Sequence, residues 1–66
     1  MRNDLTARRE RDGISQGQLA DAVGVTRQTI NAIERDRYDP SLELALDLAS
    51  HFDCHVEDIF DPQSGD

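Results

Sequence analysis

Three polar side chains near the middle of the chain are of the types that hydrogen-bond to nucleic-acid bases: Arg27, Gln28 and Asn31. An amide side chain can make paired hydrogen bonds with adenine, and a guanidinium can make them with guanine. In a helix that turns about 100° per residue and buries Ile30 and Ile33, Gln28 and Asn31 point outward, with Arg27 at the edge. Because many surface helices carry similar residues, this face alone leaves base recognition and an ordinary solvated surface both open.

The elements that must position these side chains are indicated by the segment from Ser15 to Arg35, SQGQLADAVGVTRQTINAIER. Ser15 is a good helix N-cap, and Gln18 three positions later completes a capping-box pattern. Gly24 can end the first helix in a left-handed conformation, and Thr26 caps a second helix two residues later. Since two helices joined by so short a turn must cross steeply, a helix-turn-helix is predicted over residues 15–35.

The rest of the chain is expected to form three more short helices. The first runs from about Asp4 to Asp12 with Asn3 as its cap, and the last covers Val56 to Phe60. Ser41 caps the helix between them. The inward face of that helix is predicted to consist of Leu42, Ala45, Leu48, Ala49 and Phe52.

The chain resembles the phage-repressor/Cro-like (XRE-type) helix-turn-helix regulators over roughly Leu5 to Phe60. The resemblance lies in the segment described above, in RERDGIS at residues 9–15, and in RYDPSLELALDLA and VEDIF further along. It is most similar to the short single-domain members. The resemblance implies an all-α fold, a compact bundle of about five short helices of the lambda-repressor-like DNA-binding type, with Thr26–Arg35 as recognition helix.

The resemblance also implies roles for individual residues on double-stranded DNA. Bases would be read by Arg27, Gln28 and Asn31. The sugar-phosphate backbone would be contacted by Gln16, Thr26, Arg35 and Arg37. Contacts of the first kind specify the sequence, and contacts of the second kind position the protein on the duplex.

Three further positions are interpreted against the family pattern. Arg9 lies where the family has an arginine that pairs with the glutamate matching Glu34, so a structural ion pair is expected between them. Arg8 replaces a residue that is usually aliphatic, and its methylene stem is expected to cover the edge of the core while its guanidinium reaches water. Asp36 stands where glycine is common, and Asp tolerates a left-handed backbone better than most residues do.

Length and composition limit the other possibilities. Sixty-six residues make one small domain, 1–66, and residues 62–66 look like a frayed tail. No stretch approaches the roughly 20 apolar residues that span a bilayer, and no signal-peptide pattern opens the chain. One cysteine excludes an internal disulfide, so a cytoplasmic protein with no membrane partner is expected.

The charge has an unusual sign and distribution for a DNA-binding chain. The net charge is −7, yet residues 1–40 carry seven arginines against seven acidic side chains. The excess lies in residues 41–66, which have seven acidic residues and no arginine or lysine. The chain has no lysine, and its ten aspartates outnumber its four glutamates. This composition favours a halophilic host, because molar salt screens the acidic repulsion, although an ordinary acidic protein remains the alternative.

Metal binding and catalysis find little support in the residues. His51, Asp53, Cys54 and His55 lie close together, but a zinc site usually needs two separated pairs of ligands and no second pair exists. Cys54 is better interpreted as a buried core thiol. There is no phosphate-binding glycine loop or nucleophile motif, so no enzyme, cofactor or small-molecule ligand is expected.

Two functional classes remain. In the first, the protein is a sequence-specific transcriptional regulator, a repressor that binds a two-fold operator as a homodimer. In the second, the fold is a protein-interaction module, such as an antitoxin or a subunit whose acidic face docks a partner. The outward polar set favours the first class, since a pure interaction module does not need it. The dimer is expected to use apolar residues of the C-terminal region, namely Leu44, Leu46, Ile59 and Phe60.

Overall fold

Side-chain caps begin the three longest helices at the positions that the sequence predicts. The Ser15 hydroxyl accepts the Gln18 N–H at 3.0 Å, and the Gln18 amide oxygen accepts the Ser15 N–H at 2.7 Å. The hydroxyls of Thr26 and Ser41 each accept the N–H three residues later, at 3.2 and 3.1 Å. Because these bonds satisfy donors that a helix leaves unpaired, they fix where each helix starts.

The computed structural model describes residues 2–61, and the tail predicted at 62–66 lies outside them. The elements in chain order are β1 (Arg2–Asn3), α1 (Leu5–Arg11), α2 (Gln16–Val23), α3 (Arg27–Glu34), α4 (Leu42–His51), α5 (Val56–Ile59) and β2 (Phe60–Asp61). The expected all-α bundle of five short helices is confirmed. The pair of two-residue strands is an addition that the sequence did not predict.

Left-handed residues end the helices and turn the chain. Gly24 has φ 76° and closes α2, as predicted, and Gly13 has φ 70° in the turn after α1. Asp36 has φ 58° after α3, which confirms the conformation expected there, and Asp53 has φ 55° after α4. The two aspartates hold a conformation that costs a residue with a Cβ more than it costs glycine.

The first helix begins one residue later than expected. The residue before it is Asp4, whose side chain makes no cap hydrogen bond. Asn3 instead accepts the Leu5 N–H through its Oδ1 atom at 3.0 Å. Arg8 packs half-buried, and its guanidinium contacts Asp4 at 3.1 Å and the Asp58 carbonyl oxygen at 3.3 Å rather than reaching only into water.

The hydrophobic core receives residues from every helix. It consists of Leu5, Leu19, Ala20, Ile30, Ile33, Leu44, Ala45, Leu48, Ala49, Phe52, Ile59 and Phe60. The predicted inward face of α4 is wrong at two positions: Leu42, which it included, is 71% exposed, whereas Leu44, which it left out, is buried. The inward face of α4 starts at Leu44 because residues 44, 45, 48, 49 and 52 share one side of the helix.

The two strands join the ends of the described chain. They pair antiparallel, with Arg2 opposite Asp61 and Asn3 opposite Phe60, and the Asp4 N–H donates to the Ile59 carbonyl at 3.0 Å. This pairing brings Ile59 and Phe60 into the core of the single chain, where they are 2% and 3% exposed.

The expected dimer contact therefore needs correction. Leu44, Ile59 and Phe60 are buried within one chain, so they have no surface to offer a partner. Of the four residues expected at the interface, only Leu46 is exposed, at 52%.

Among residues 2–61, no helix has the length and apolar character that crossing a bilayer requires.

Candidate nucleic-acid interface

The frame of the site is the pair α2 and α3, joined by Gly24, Val25 and Thr26. The Val25 N–H donates to the Ala20 carbonyl at 3.0 Å, which closes the turn tightly after α2. Ile30 and Ile33 are fully buried and hold α3 against the rest of the bundle. Since the inner side of α3 is occupied in this way, its other side faces solvent.

The outward side of α3 carries the three candidate base-reading residues. Arg27 and Gln28 are exposed, and Asn31 is half-buried. Together with Gln16 from the start of α2, they line a shallow notch of about 260 Å³. The structure thus brings three side chains capable of paired hydrogen bonds to one continuous surface, with Gln16 at its border.

The four candidate backbone-contacting residues lie around that surface. Arg35 and Arg37 are exposed just beyond the last turn of α3. Thr26 is exposed at the other end, where its hydroxyl already accepts the Thr29 N–H and lies 3.1 Å from the Thr29 hydroxyl. Gln16 is half-buried, and its Nε2 donates to Glu34 at 2.9 Å.

Arg9 and Glu34 form an ion pair behind the candidate surface. The Arg9 Nε lies 2.7 Å from one Glu34 carboxylate oxygen, and the Arg9 Nη2 lies 3.3 Å from the other. The side chains are only 13% and 6% exposed. Arg9 also donates to the Ile14 carbonyl at 3.0 Å. With Gln16 on the same carboxylate, this network joins α1, α2 and α3.

The charged state of Glu34 is stabilised by its partners. Burial alone would raise the pKa of Glu34, but hydrogen bonds from Arg9, Gln16 and Thr6 outweigh it and hold the pKa below its ordinary value. The hydrogen bond to Glu34 likewise raises the pKa of Arg9, against the opposing effect of burial. Both groups are therefore charged at neutral pH.

Two contacts near the site were not expected from the sequence. Asn3 donates through Nδ2 to the Ile33 carbonyl at 2.8 Å and to the Asp36 carboxylate at 3.0 Å. Gly17 lies beside Arg27, since a Cβ at Gly17 would stand 3.9 Å from the Arg27 Cδ. The sequence predicted Asn3 only as the cap of α1, and it gave no indication of the contact between Gly17 and Arg27.

The residues considered for metal binding do not form a cluster. Within residues 2–61, no group of three or more His, Cys, Asp or Glu side chains is arranged to hold an ion. Cys54 is half-buried and packs against the edge of the core. The His51 ring packs edge-on against the Phe52 ring, with the two ring centroids 4.8 Å apart.

Comparisons with known proteins agree with this geometry. A family model described as helix-turn-helix matches residues 5–59. An uncharacterised HTH-type transcriptional regulator of Methanocaldococcus jannaschii is 48% identical over 60 residues, which cover 91% of each chain. The HTH-type regulator YgzD of Bacillus subtilis, also uncharacterised, gives the same identity and coverage.

Two solved structures share the fold at 32% sequence identity, each with a TM-score of 0.77. One is the restriction-modification controller protein C.AhdI from Aeromonas hydrophila, with 85% of each chain covered. The other is the P22 c2 repressor in complex with a synthetic operator, with 80% of each chain covered.

Proposed function

The chain belongs to the phage-repressor/Cro-like (XRE-type) helix-turn-helix family of DNA-binding transcriptional regulators, and from this premise we propose that it represses transcription by binding a two-fold operator as a homodimer. It acts as a single DNA-binding domain with α3 as the recognition helix. Like its relatives it is a regulator and not an enzyme. Its site of action is the cytoplasm, where the operator DNA lies.

The observation that carries this proposal is the notch on the outward side of α3. Arg27, Gln28 and Asn31 face solvent there, although α3 buries Ile30 and Ile33 on its other side. A helix in the major groove places its N-terminal residues against base edges. Arg27 and Gln28 occupy the first two positions of α3. We therefore assign base reading to Arg27, Gln28 and Asn31.

The backbone contacts are assigned to side chains at both borders of the notch. Arg35 and Arg37 are exposed cations beyond the end of α3 and suit two phosphates. Gln16 keeps one Nε2 hydrogen to donate, since the other is directed to Glu34. Thr26 completes the set at the start of α3.

The homodimer is proposed to form through one face of α4. Leu42 and Leu46 are 71% and 52% exposed, and with Tyr38 they are the large apolar side chains that residues 2–61 leave exposed. Leu42 and Leu46 border a groove of about 470 Å³, which Cys54 and Val56 also line. A second copy presenting the same face would cover both leucines. The contact should set the two recognition helices about 34 Å apart, one turn of B-DNA.

The acidic C-terminal half is proposed to be an adaptation to high salt. Glu43 and Asp47 on α4 and Glu57 on α5 are exposed, and residues 41–66 contain no arginine or lysine. Molar salt shortens the Debye length to about 3 Å, which screens this repulsion. The same salt weakens phosphate contacts, so base contacts carry a larger share of the affinity than they do at low salt.

Selection of operator sequences tests the proposal most directly. A pool of random duplexes is passed over the protein in molar KCl, and the retained sequences are amplified and sequenced. The expected result is an inverted repeat whose half-sites are one helical turn apart. Retention of duplexes with no shared sequence would contradict specific recognition, and a single asymmetric site would contradict the homodimer.

A further inference from the structure

Asn3 makes three hydrogen bonds that use both ends of its amide. The Oδ1 atom accepts the Leu5 N–H at 3.0 Å, which supports the start of α1. The Nδ2 atom donates to the Ile33 carbonyl at 2.8 Å and to the Asp36 carboxylate at 3.0 Å. The last two partners lie 30 and 33 residues away along the chain. A helix cap needs only the first bond, so the Nδ2 contacts require another explanation.

The backbone of Asn3 is held by the end of the chain that the structure describes. Asn3 lies opposite Phe60 in the antiparallel pair β1–β2, and Phe60 is buried. The next residue, Asp4, donates its N–H to the Ile59 carbonyl at 3.0 Å. Because Phe60 and Ile59 are both core residues, these contacts fix the position of Asn3 relative to the core.

The turn that Asn3 reaches carries the two proposed phosphate contacts. Asp36 lies between Arg35 and Arg37, and its φ of 58° is a conformation that L-residues with a Cβ adopt reluctantly. The bond from Asn3 to the Asp36 carboxylate ties this residue to β1. The Ile33 carbonyl already accepts the Asp36 N–H at 3.0 Å, and the Asn3 Nδ2 is a second donor to the same oxygen at 2.8 Å, so Asn3 is bonded to both ends of this turn.

We propose that Asn3 is a positioning residue for DNA binding: it holds the turn after α3 so that Arg35 and Arg37 meet the phosphates, without touching DNA itself. This inference rests on the proposed function. The link runs from β2 through Asn3 to the turn, so the end of the described chain helps to place the cations of the recognition helix.

The test uses full-length variants that separate the bonds of Asn3. Asn3→Asp keeps an oxygen for the Leu5 N–H but loses the donor and places a second carboxylate beside Asp36. Arg2→Gln is the control for charge, because it lowers the net charge by the same amount at the neighbouring residue. Asn3→Ser is a milder variant that retains an acceptor, and it serves if the first variant does not fold in molar KCl.

Affinity is measured against KCl concentration for the selected operator and for an unrelated duplex. Asn3→Asp loses both Nδ2 hydrogen bonds, and we expect affinity to fall about 3- to 10-fold on both duplexes, within the range of the net contribution of a hydrogen bond. The slope of log affinity against log salt should become shallower by roughly one. The ratio between the two duplexes should not change, because no base contact is lost. Arg2→Gln should leave the slope as it is in the wild type.

A rescue variant and a double-mutant cycle make the result specific. The double variant Asn3→Asp with Asp36→Asn again places a donor opposite an acceptor across the contact. The slope of log affinity against log salt should therefore return part of the way to its wild-type value. Combining Asn3→Asp with Arg37→Ala should cost less than the two single losses together. A slope in Asn3→Asp equal to that of Arg2→Gln, or full additivity with Arg37→Ala, would overturn the inference. A wild-type protein that binds no duplex would instead overturn the proposed function.

Discussion

Arg9 and Glu34 join α1 to the last turn of α3 through hydrogen bonds of 2.7 and 3.3 Å, in a place where both side chains are largely hidden from water. Gln16 from α2 donates to the same carboxylate. The helix proposed to enter the DNA groove is therefore fixed to both preceding helices at its C-terminal end. This contact supports the surface from behind and leaves the side chains on its outer side available.

Removing one member of this pair should destabilise the fold. Arg9→Ala or Glu34→Ala leaves the other charge buried without its partner, which costs about 3 kcal/mol. Thermal or urea unfolding measures this loss. The exposed pair Arg11–Asp12, 3.5 Å apart, provides the control, and Arg11→Ala should cost less than about 0.5 kcal/mol. Unchanged stability in both single variants, or an altered base preference, would contradict a structural role.

The stability should fall in acid because of Glu34. The pKa of Glu34 is held below its ordinary value in the folded chain, so the unfolded chain takes up the proton first as the pH falls. The resulting stabilisation is complete at neutral pH and is lost below about pH 4. Melting temperature measured against pH should therefore drop less steeply in Glu34→Gln than in the wild type. Equal slopes would remove Glu34 as the cause.

Variants of the notch and of the flanking arginines should fail in different ways. Gln28→Ala or Asn31→Ala should cost about 1–3 kcal/mol on the selected operator and relax the preference at one base position. Arg35→Ala or Arg37→Ala should weaken all sequences alike and flatten the salt dependence. Binding titrations on operator and mismatched duplexes separate the two patterns. A uniform loss in every variant would show that α3 does not read bases.

Ser50→Ala is a suitable control for the amide variants. Ser50 is exposed on α4 outside the notch, at the groove proposed for the dimer, so light scattering first checks that Ser50→Ala leaves the oligomeric state unchanged. For the arginine variants the control is Arg2→Ala, because Arg2 lines a groove with acidic residues of α5 rather than the notch. Neither change should alter affinity for the operator by more than about twofold.

Stability should rise with salt, because the acidic C-terminal half repels itself when screening is weak. Melting temperatures are compared between about 0.01 M and 1 M KCl, where the Debye length falls from about 30 to 3 Å. The combined variant Asp47→Asn and Glu57→Gln should raise the low-salt melting temperature and reduce its dependence on KCl. Asp21→Asn, in the electrically neutral half, should change it less. A melting temperature that is flat or falls with KCl would contradict the adaptation to high salt.

The face of α4 with Leu42 and Leu46 should control dimer formation. Leu46→Glu places a charge in the proposed contact, so light scattering in molar KCl should report a monomer where the wild type is a dimer. Ala7→Glu makes an apolar-to-acidic change at an exposed site of α1 and should leave the dimer intact. A monomeric wild type at all accessible concentrations would refute the homodimer. A Leu46→Glu variant that still dimerises would refute this interface.

The sequence by itself determined the starts of the three longest helices and the turn between α2 and α3. Ser15, Thr26 and Ser41 bond to N–H groups three residues away, and Gly24 needs only its own φ, so all these signals are local. The same locality made the outward side of α3 predictable, since Ile30 and Ile33 define its inner side without reference to any other element.

The tertiary structure alone decided which side of α4 faces the core and what covers Phe60. Leucines at positions 42, 44, 46 and 48 support two overlapping apolar stripes, and only the neighbouring helices select the one that begins at Leu44. Phe60 and Asn3 meet across 57 positions of sequence through a strand pair of two residues each. So short a pair has no periodicity to read, because its stability comes from packing against the finished bundle.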